Sequence, residues 1–235
     1  MRKPQFVKNH VYHVFNRGVD KRDVFLDNQD YYRFIHSLFE FNDEDPVSNV
    51  NYYFDPKTMD IGKRPARKDR KPRKMLVEIL IFTLMPNHFH LLLKQKAQKG
   101  IVKFMHKVGT GYTNYFNIKY EREGVLFQGK FKAVLMENNE QLQYIPQYIH
   151  LNPLKLIYGS RTPIDWQRKF KFLEEYRWSS FQDYIGKKNF PSLTQREFLL
   201  DVFNGEKNYK KHNIDCLKEF SKGEWIESIQ DVKLD

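Results

Sequence analysis

Apolar positions along the chain repeat sometimes every second residue and sometimes at helical spacing, and the changes of period mark out its elements. Val11 to Asn16 alternates, with Tyr12 and Val14 on one face and His13 and Phe15 on the other; Arg17-Gly18 closes this predicted strand. Asp27 then caps a predicted helix whose positions Tyr31, Phe34, Ile35, Leu38 and Phe39 share one stripe. An apolar run from Leu76 to Leu84 and a second from His88 to Lys94, joined at Pro86-Asn87, predict a hairpin. Ile101, Phe104, Met105, Val108, Tyr112, Tyr115 and Phe116 predict a long amphipathic helix, weakened locally by Gly109 and Gly111, which would suit close helix–sheet packing.

Further along, Val125 to Lys132 reads as strand material carrying cations. Asn138 or Asn139 caps a helix through Leu142, Ile145, Tyr148 and Ile149. That helix stops at Asn152-Pro153, and Pro146 inside it must kink it or begin its second half. Tyr176 to Phe181 predicts a strap docked by its aromatics. Thr194-x-x-Glu197 has the form of a capping box before Phe198, Leu199, Val202 and Phe203, and another helical stretch surrounds Leu217 and Phe220.

Between Asp43 and Lys74 the periodicity breaks. An acidic stretch gives way to Lys63, Arg64, Arg67, Lys68, Arg70, Lys71, Arg73 and Lys74, interleaved with Pro65 and Pro72. Residues 43–74 therefore read as an exposed, mobile insertion. It is either a solvated loop or a basic arm that grips phosphates.

Composition adds a partner. The formal charge is +11 and aromatic residues make up 16% of the chain. A polyanion is favoured by the charge, and single-stranded nucleic acid by the aromatics, because unstacked bases need platforms. Cys216 is the lone cysteine, so an internal disulfide and a cysteine-based zinc site are both excluded. No apolar run approaches membrane-spanning length and no signal-peptide core is present at the N-terminus, so a cytoplasmic setting with no membrane partner is expected.

The candidate chemistry lies in Met85-Pro86-Asn87-His88-Phe89-His90. On a strand, His88 and His90 share a face with Phe89 opposite, so the two imidazoles can hold one metal ion; the plainer reading is a pair of surface or hydrogen-bonded histidines. His10 or His13 is a candidate further ligand or a strand histidine near the surface. Four apart on a helix, Tyr148 and Asn152 share a face, while His150 points elsewhere. A tyrosine beside a metal can attack a phosphodiester and form a phosphotyrosine, with the Asn152 amide oxygen as third ligand. Against this, a helical tyrosine among apolar residues commonly packs in the core, and Asn before Pro commonly stops a helix.

Five ordered segments carry a resemblance: YHVFNRG at Tyr12 to Gly18, LMPNHFHLLL at Leu84 to Leu93, LFQGKFKA at Leu126 to Ala133, YIHLNPLK at Tyr148 to Lys155, and YRWSSF at Tyr176 to Phe181. Together they resemble the single-tyrosine HUH transposases, especially the REP-associated branch. The resemblance implies an α+β, ferredoxin-like fold with a central antiparallel sheet. It also implies metal-dependent cleavage of single-stranded DNA, with His88 and His90 as metal ligands, Tyr148 as nucleophile and Asn152 as third ligand. Two imidazoles and an amide by themselves suit zinc, nickel or copper; the resemblance points to one divalent ion, Mg2+ or Mn2+. Tyr144, one turn before Tyr148, is a rival nucleophile.

The domain reading is a catalytic unit over 1–185, with the insertion, and a helical C-terminal extension over 186–235. The functional reading is a single-strand endonuclease and strand-transferase acting on hairpin-containing DNA, as monomer or homodimer. Arg17, Lys130, Lys132 and the insertion's cations, Arg64, Arg67, Lys68, Arg70 and Arg73, would hold the backbone. Trp178 or Phe131 would stack on a base or else pack in the core. The alternatives are a non-catalytic binder of structured single-stranded DNA or RNA, and a hydrolase that uses water in place of tyrosine.

Overall fold

The computed structural model describes residues 5–45, 52–55, 60–63, 73–157 and 165–220. Four strands form one antiparallel sheet: β1 (Val11–Arg17), β4 (Val77–Met85), β5 (His88–Gln95) and β6 (Lys132–Leu135), in the order β4-β5-β1-β6. Helix α1 (Asn28–Glu40) connects β1 towards β4, and α2 (Gly100–Lys119) connects β5 to β6. The succession β-α-β-β-α-β with this strand order is the ferredoxin-like arrangement. A separate hairpin, β2 (Tyr52–Asp55) and β3 (Asp60–Lys63), lies within the sequence insertion as a two-stranded sheet.

Alternation along the strands divides the interior into two cores. Tyr12, Val14, Phe89, Leu91 and Leu93 face α1 and α2, meeting Phe34, Ile35, Leu38, Phe104, Val108 and Tyr112. Val11, Leu80, Ile81 and Leu92 face the other way, towards α3 (Asn139–Leu151) and the helices that follow: α4 (Trp166–Glu175), α5 (Phe181–Tyr184), α6 (Glu197–Val202) and α7 (Glu206–Phe220). Each apolar side chain fully buried in this way contributes about 1.5–3 kcal/mol. Residues Leu199, Phe203, Tyr209 and Leu217 belong to this second core, so the described part of the C-terminal stretch packs on the sheet through α3 to α5.

Asp27 caps α1 in a reciprocal box with Asp30. Helix α3 runs unbroken across Pro146 and ends at Leu151, after which Asn152–Leu156 forms a 3-10 turn. The strap lies along the outer edge of β4. Leu84 N–H donates to Trp178 O (2.8 Å), Ser180 N–H to Phe82 O (3.0 Å) and the Tyr176 hydroxyl to Leu84 O (2.6 Å).

Three local expectations change. The strand near residue 130 is Lys132–Leu135; upstream of it only Phe127 makes a bridge, with Gly18, and the chain between is loop. Thr194 does not cap α6: its N-cap is Arg196, whose guanidinium donates to the Thr194 hydroxyl, while Gln195 pairs through backbone and side chain with Ile79. The two glycines of α2 do not serve helix–sheet packing. A Cβ on Gly111 would fall 2.5 Å from the Phe41 ring, beyond the end of α1, and one on Gly109 would meet open space.

Candidate metal and nucleic-acid site

The turn between β4 and β5 is held by the segment that follows β1. Gly18 N–H donates to Asn87 O (2.8 Å), Val24 and Phe25 N–H both donate to Pro86 O, and the Asn87 amide donates to Lys21 O (3.1 Å). Gly18 permits the close approach, since a Cβ there would lie 2.2 Å from Arg22 O. Strand β5 therefore starts at a fixed point, and pairing with β1 sets Arg17 opposite His88 and Phe15 opposite His90.

On this face the two imidazoles stand with ring centres 5.0 Å apart at 89°. Tyr148, on α3, meets His90 edge-on at 5.5 Å and is 5% exposed. His88, His90 and Tyr148 line a cleft of about 450 Å³ together with Phe15, Arg17, Lys21, Lys132 and Lys155. Four cationic side chains thus converge on one small opening, an arrangement suited to a phosphate.

Asn152 is completely buried, and its Oδ1 lies 3.3 Å from His88 Nε2. The other ring nitrogen, Nδ1, is 2.6 Å from Asn87 Oδ1. A neutral imidazole has one N–H. With that hydrogen on the shorter contact, Nε2 and the Asn152 oxygen meet lone pair to lone pair. A second proton on the ring, a cation shared by both atoms, or the amide turned so that its NH2 donates to Nε2 satisfies such a pair. As placed, the Asn152 Nδ2 is buried and has no hydrogen-bond partner among the described residues.

His90 is held neutral: burial, then His88, His13 and Lys155, push its pKa well below the ordinary histidine value. A ligating imidazole must be neutral, and two such imidazoles with an amide oxygen make a donor set that fits a divalent ion. No cluster of three His, Cys, Asp or Glu side chains able to hold a metal occurs among the described residues, so a third donor drawn from those residues is of another type.

The structure brings together His88, His90, Tyr148, Asn152, Arg17 and Lys132. It separates others. Lys130 lines a neighbouring groove with Phe131 and Asn114. Trp178 is 8% exposed and stacks on Tyr31 at 4.4 Å and 12°, which makes it core rather than a base platform. The guanidinium of Arg73 donates to Phe39 O (2.7 Å) and sits over that ring. Tyr144 packs with the second core, near Cys216, and burial raises its pKa; it does not line the cleft. Arg64, Arg67, Lys68 and Arg70 lie outside the described residues.

Three contributors escaped the sequence reading, Asn87, Lys21 and Lys155, and a fourth, His13, stands there only as a further ligand or a strand histidine near the surface. His13 is fully buried, against the expectation of a strand histidine near the surface, and its Nε2 is 2.9 Å from His90 Nδ1. Lys155 follows Tyr148 by seven residues, two helical turns, a spacing that could have flagged it; its Nζ lies 5.5 Å from the Tyr148 ring centre.

Residues 69–152, which contain β4, the histidine strand β5 and all of α3, match the family described as transposase IS200 like. No curated protein matches the chain. In fold it is similar to the solved structure of a REP-associated tyrosine transposase bound to a REP hairpin, with a TM-score of 0.52 and 13% identity, over 81% of this chain and 88% of that one. The resemblance carried by the ordered motifs thus meets a match to the IS200-like transposase model over residues 69–152, and the fold is of the same kind as that of the REP-associated protein. Among the described residues no helix is long and apolar enough to cross a membrane.

Proposed function

We propose that this chain, with its IS200-like transposase segment over residues 69–152, is a single-stranded DNA endonuclease and strand-transferase that works through a 5′-phosphotyrosine. The observation that carries the reading is the Tyr148 ring set edge-on to His90, 5.5 Å between centres, inside a cleft rimmed by Arg17, Lys21, Lys132 and Lys155.

In this reading the rim cations hold the scissile phosphate and its neighbours. The Tyr148 oxygen attacks phosphorus; the new tyrosyl O–P bond replaces the bond to the 3′ oxygen, and the proton lost by the phenol is balanced by the proton gained on the released 3′-hydroxyl. The phosphodiester energy is kept in the tyrosyl ester, so a second 3′-hydroxyl can reverse the step without a nucleotide triphosphate. His88, His90 and Asn152 would hold one divalent ion, Mg2+ or Mn2+, which when bound polarises the phosphate and stabilises its developing charge. Hairpin DNA is the proposed substrate, supported by the hairpin-bound protein of similar fold. Residues 1–185 are proposed as the catalytic unit, with 186–235 as a helical extension whose described part, through Phe220, packs against it.

The test is a denaturing gel of protein incubated with end-labelled hairpin DNA and Mn2+. Wild type gives a protein–DNA band that resists denaturant and disappears with chelator. Tyr148→Phe gives none, yet shifts the DNA in a native gel. Cleavage that survives Tyr148→Phe without an adduct would instead indicate water as nucleophile, and binding without cleavage by wild type a non-catalytic binder.

A further inference from the structure

His13 lies outside the histidine pair and the helix, yet it touches both. Its Nε2 is 2.9 Å from His90 Nδ1, the two rings stack with centres 5.1 Å apart, and its edge meets the Tyr148 ring at 5.9 Å. It is completely buried between Val134 of β6 and Leu92 of β5, its neighbours across the sheet. A buried imidazole with Nδ1 lacking a hydrogen-bond partner among the described residues is a costly way to fill a strand position that an apolar residue would fill more cheaply.

We infer that His13 is a positioning residue, whose Nε2 accepts the Nδ1–H of His90 and thereby fixes the ring and its tautomer, so that His90 Nε2 is a bare lone pair directed to the cleft. This deepens the function proposed above and rests on it for the identity of what that lone pair binds. The shared hydrogen admits two directions. If His13 donated, His90 would carry its hydrogen on Nε2, towards a cleft that Lys155 and the other rim cations make positive. A positive surrounding favours the lone pair, not the N–H, on the outward nitrogen, and so places the hydrogen between the two rings. It does so even though His13 must then carry its own hydrogen on the buried Nδ1, which has no partner among the described residues. Ligating histidines are commonly held by such an acceptor behind the ring, most often a carboxylate or carbonyl. An imidazole does the same here without adding a negative charge beneath the sheet.

The test reads the tautomer directly. In metal-free wild-type protein labelled with 15N-histidine, long-range proton–nitrogen spectra should show His90 protonated on Nδ1 and bare on Nε2. In His13→Phe that preference is lost, and Mn2+ affinity by calorimetry falls roughly 10- to 100-fold. His13→Gln, whose carbonyl can accept the same hydrogen, restores the tautomer and brings affinity back to within a few-fold of wild type. His90 protonated on Nε2 in wild type overturns the inference, as does unchanged Mn2+ affinity in a folded His13→Phe. Because the tautomer is read without metal, a wild-type protein that fails to bind Mn2+ defeats the proposed metal function, and the spectra by themselves still decide the role of His13.

Discussion

The hydroxyl of Tyr209, on α7, lies 2.6 Å from Nδ1 of His150, which follows Tyr148 by two residues on α3. The opposite ring nitrogen, Nε2, is 2.8 Å from Ser180 Oγ in the strap. Ser180 Oγ already accepts from Phe82 N–H and donates to Phe82 O, so it accepts from His150 as well. In that arrangement His150 carries its hydrogen on Nε2 and Tyr209 donates to Nδ1; with the ring hydrogen on Nδ1 both bonds run the other way. All three side chains are fully buried, and burial keeps His150 neutral, with its pKa pushed down to about 3. One imidazole thus joins the helix of the proposed nucleophile to both the strap and the C-terminal helix.

Removing that donor tests the bracing. Tyr209→Phe should keep the ring packing but leave His150 Nδ1 unsatisfied, costing about 1–3 kcal/mol in denaturant unfolding. Tyr209→Ala adds a cavity and should cost about 3–5 kcal/mol. A Phe variant as stable as wild type would show that α7 is held by apolar contact alone.

Tyr144 gives the opposite expectation. Its hydroxyl is buried with no hydrogen-bond partner among the described residues, and its ring packs away from the cleft. Tyr144→Phe deletes a polar atom without opening a void, so stability should stay within about 0.5 kcal/mol of wild type or rise. The covalent band on hairpin DNA should persist. Loss of that band in Tyr144→Phe alone would transfer the nucleophile's role to Tyr144.

For Asn152 the expectation follows from the lone pair it turns towards His88. Asn152→Ala should weaken Mn2+ binding by roughly tenfold or more, since even partners behind a ligand commonly contribute that much. Asn152→Asp keeps an oxygen in place and adds charge, so it should bind Mn2+ at least as tightly as wild type. Calorimetric titration of the two variants reads this; equal affinity for Ala and wild type would remove Asn152 from the ligand set.

What the sequence made legible was whatever depends on local period. Alternation separated Tyr12 and Val14 from His13 and Phe15, and Phe89 from His88 and His90, and both divisions recur as the two faces of the sheet. The spacing of Tyr148 and Asn152 brought both to the histidine face because α3 continues through Pro146 and helical geometry persists at Asn152. What escaped depends on register between distant strands. Nothing local says that His13 lies beside His90, 77 residues away, or that Lys21, in a left-handed turn, comes over the cleft. For Trp178, a base platform or core on sequence alone, the choice needed the fold: its stacking partner Tyr31 is on α1, and only the folded strap brings them together.

The cap of α1 supplies a pH test away from the cleft. Asp27 accepts from Asp30 N–H, and the Lys119 ammonium donates to both Asp27 (2.7 Å) and the buried Asp30 (2.8 Å), tying α1 to the end of α2. Burial alone would raise the Asp27 pKa; the hydrogen bond from Lys119 and the one from Asp30 N–H outweigh it, and the pKa lies below the ordinary aspartate value. The unfolded carboxylate, at about 3.9, then takes a proton before the folded one does, so this contribution is present above that pH and is lost as pH falls through the lower folded value. Asn is as good a cap as Asp but carries no charge. Asp27→Asn should therefore be less stable than wild type at pH 7 by no more than about 1 kcal/mol, because the pair is half exposed and screened. The gap should close as pH falls below about 4. Thermal melts of both proteins at pH 7, 5 and 3 would measure it, and a gap independent of pH would assign the effect to cap geometry in place of charge.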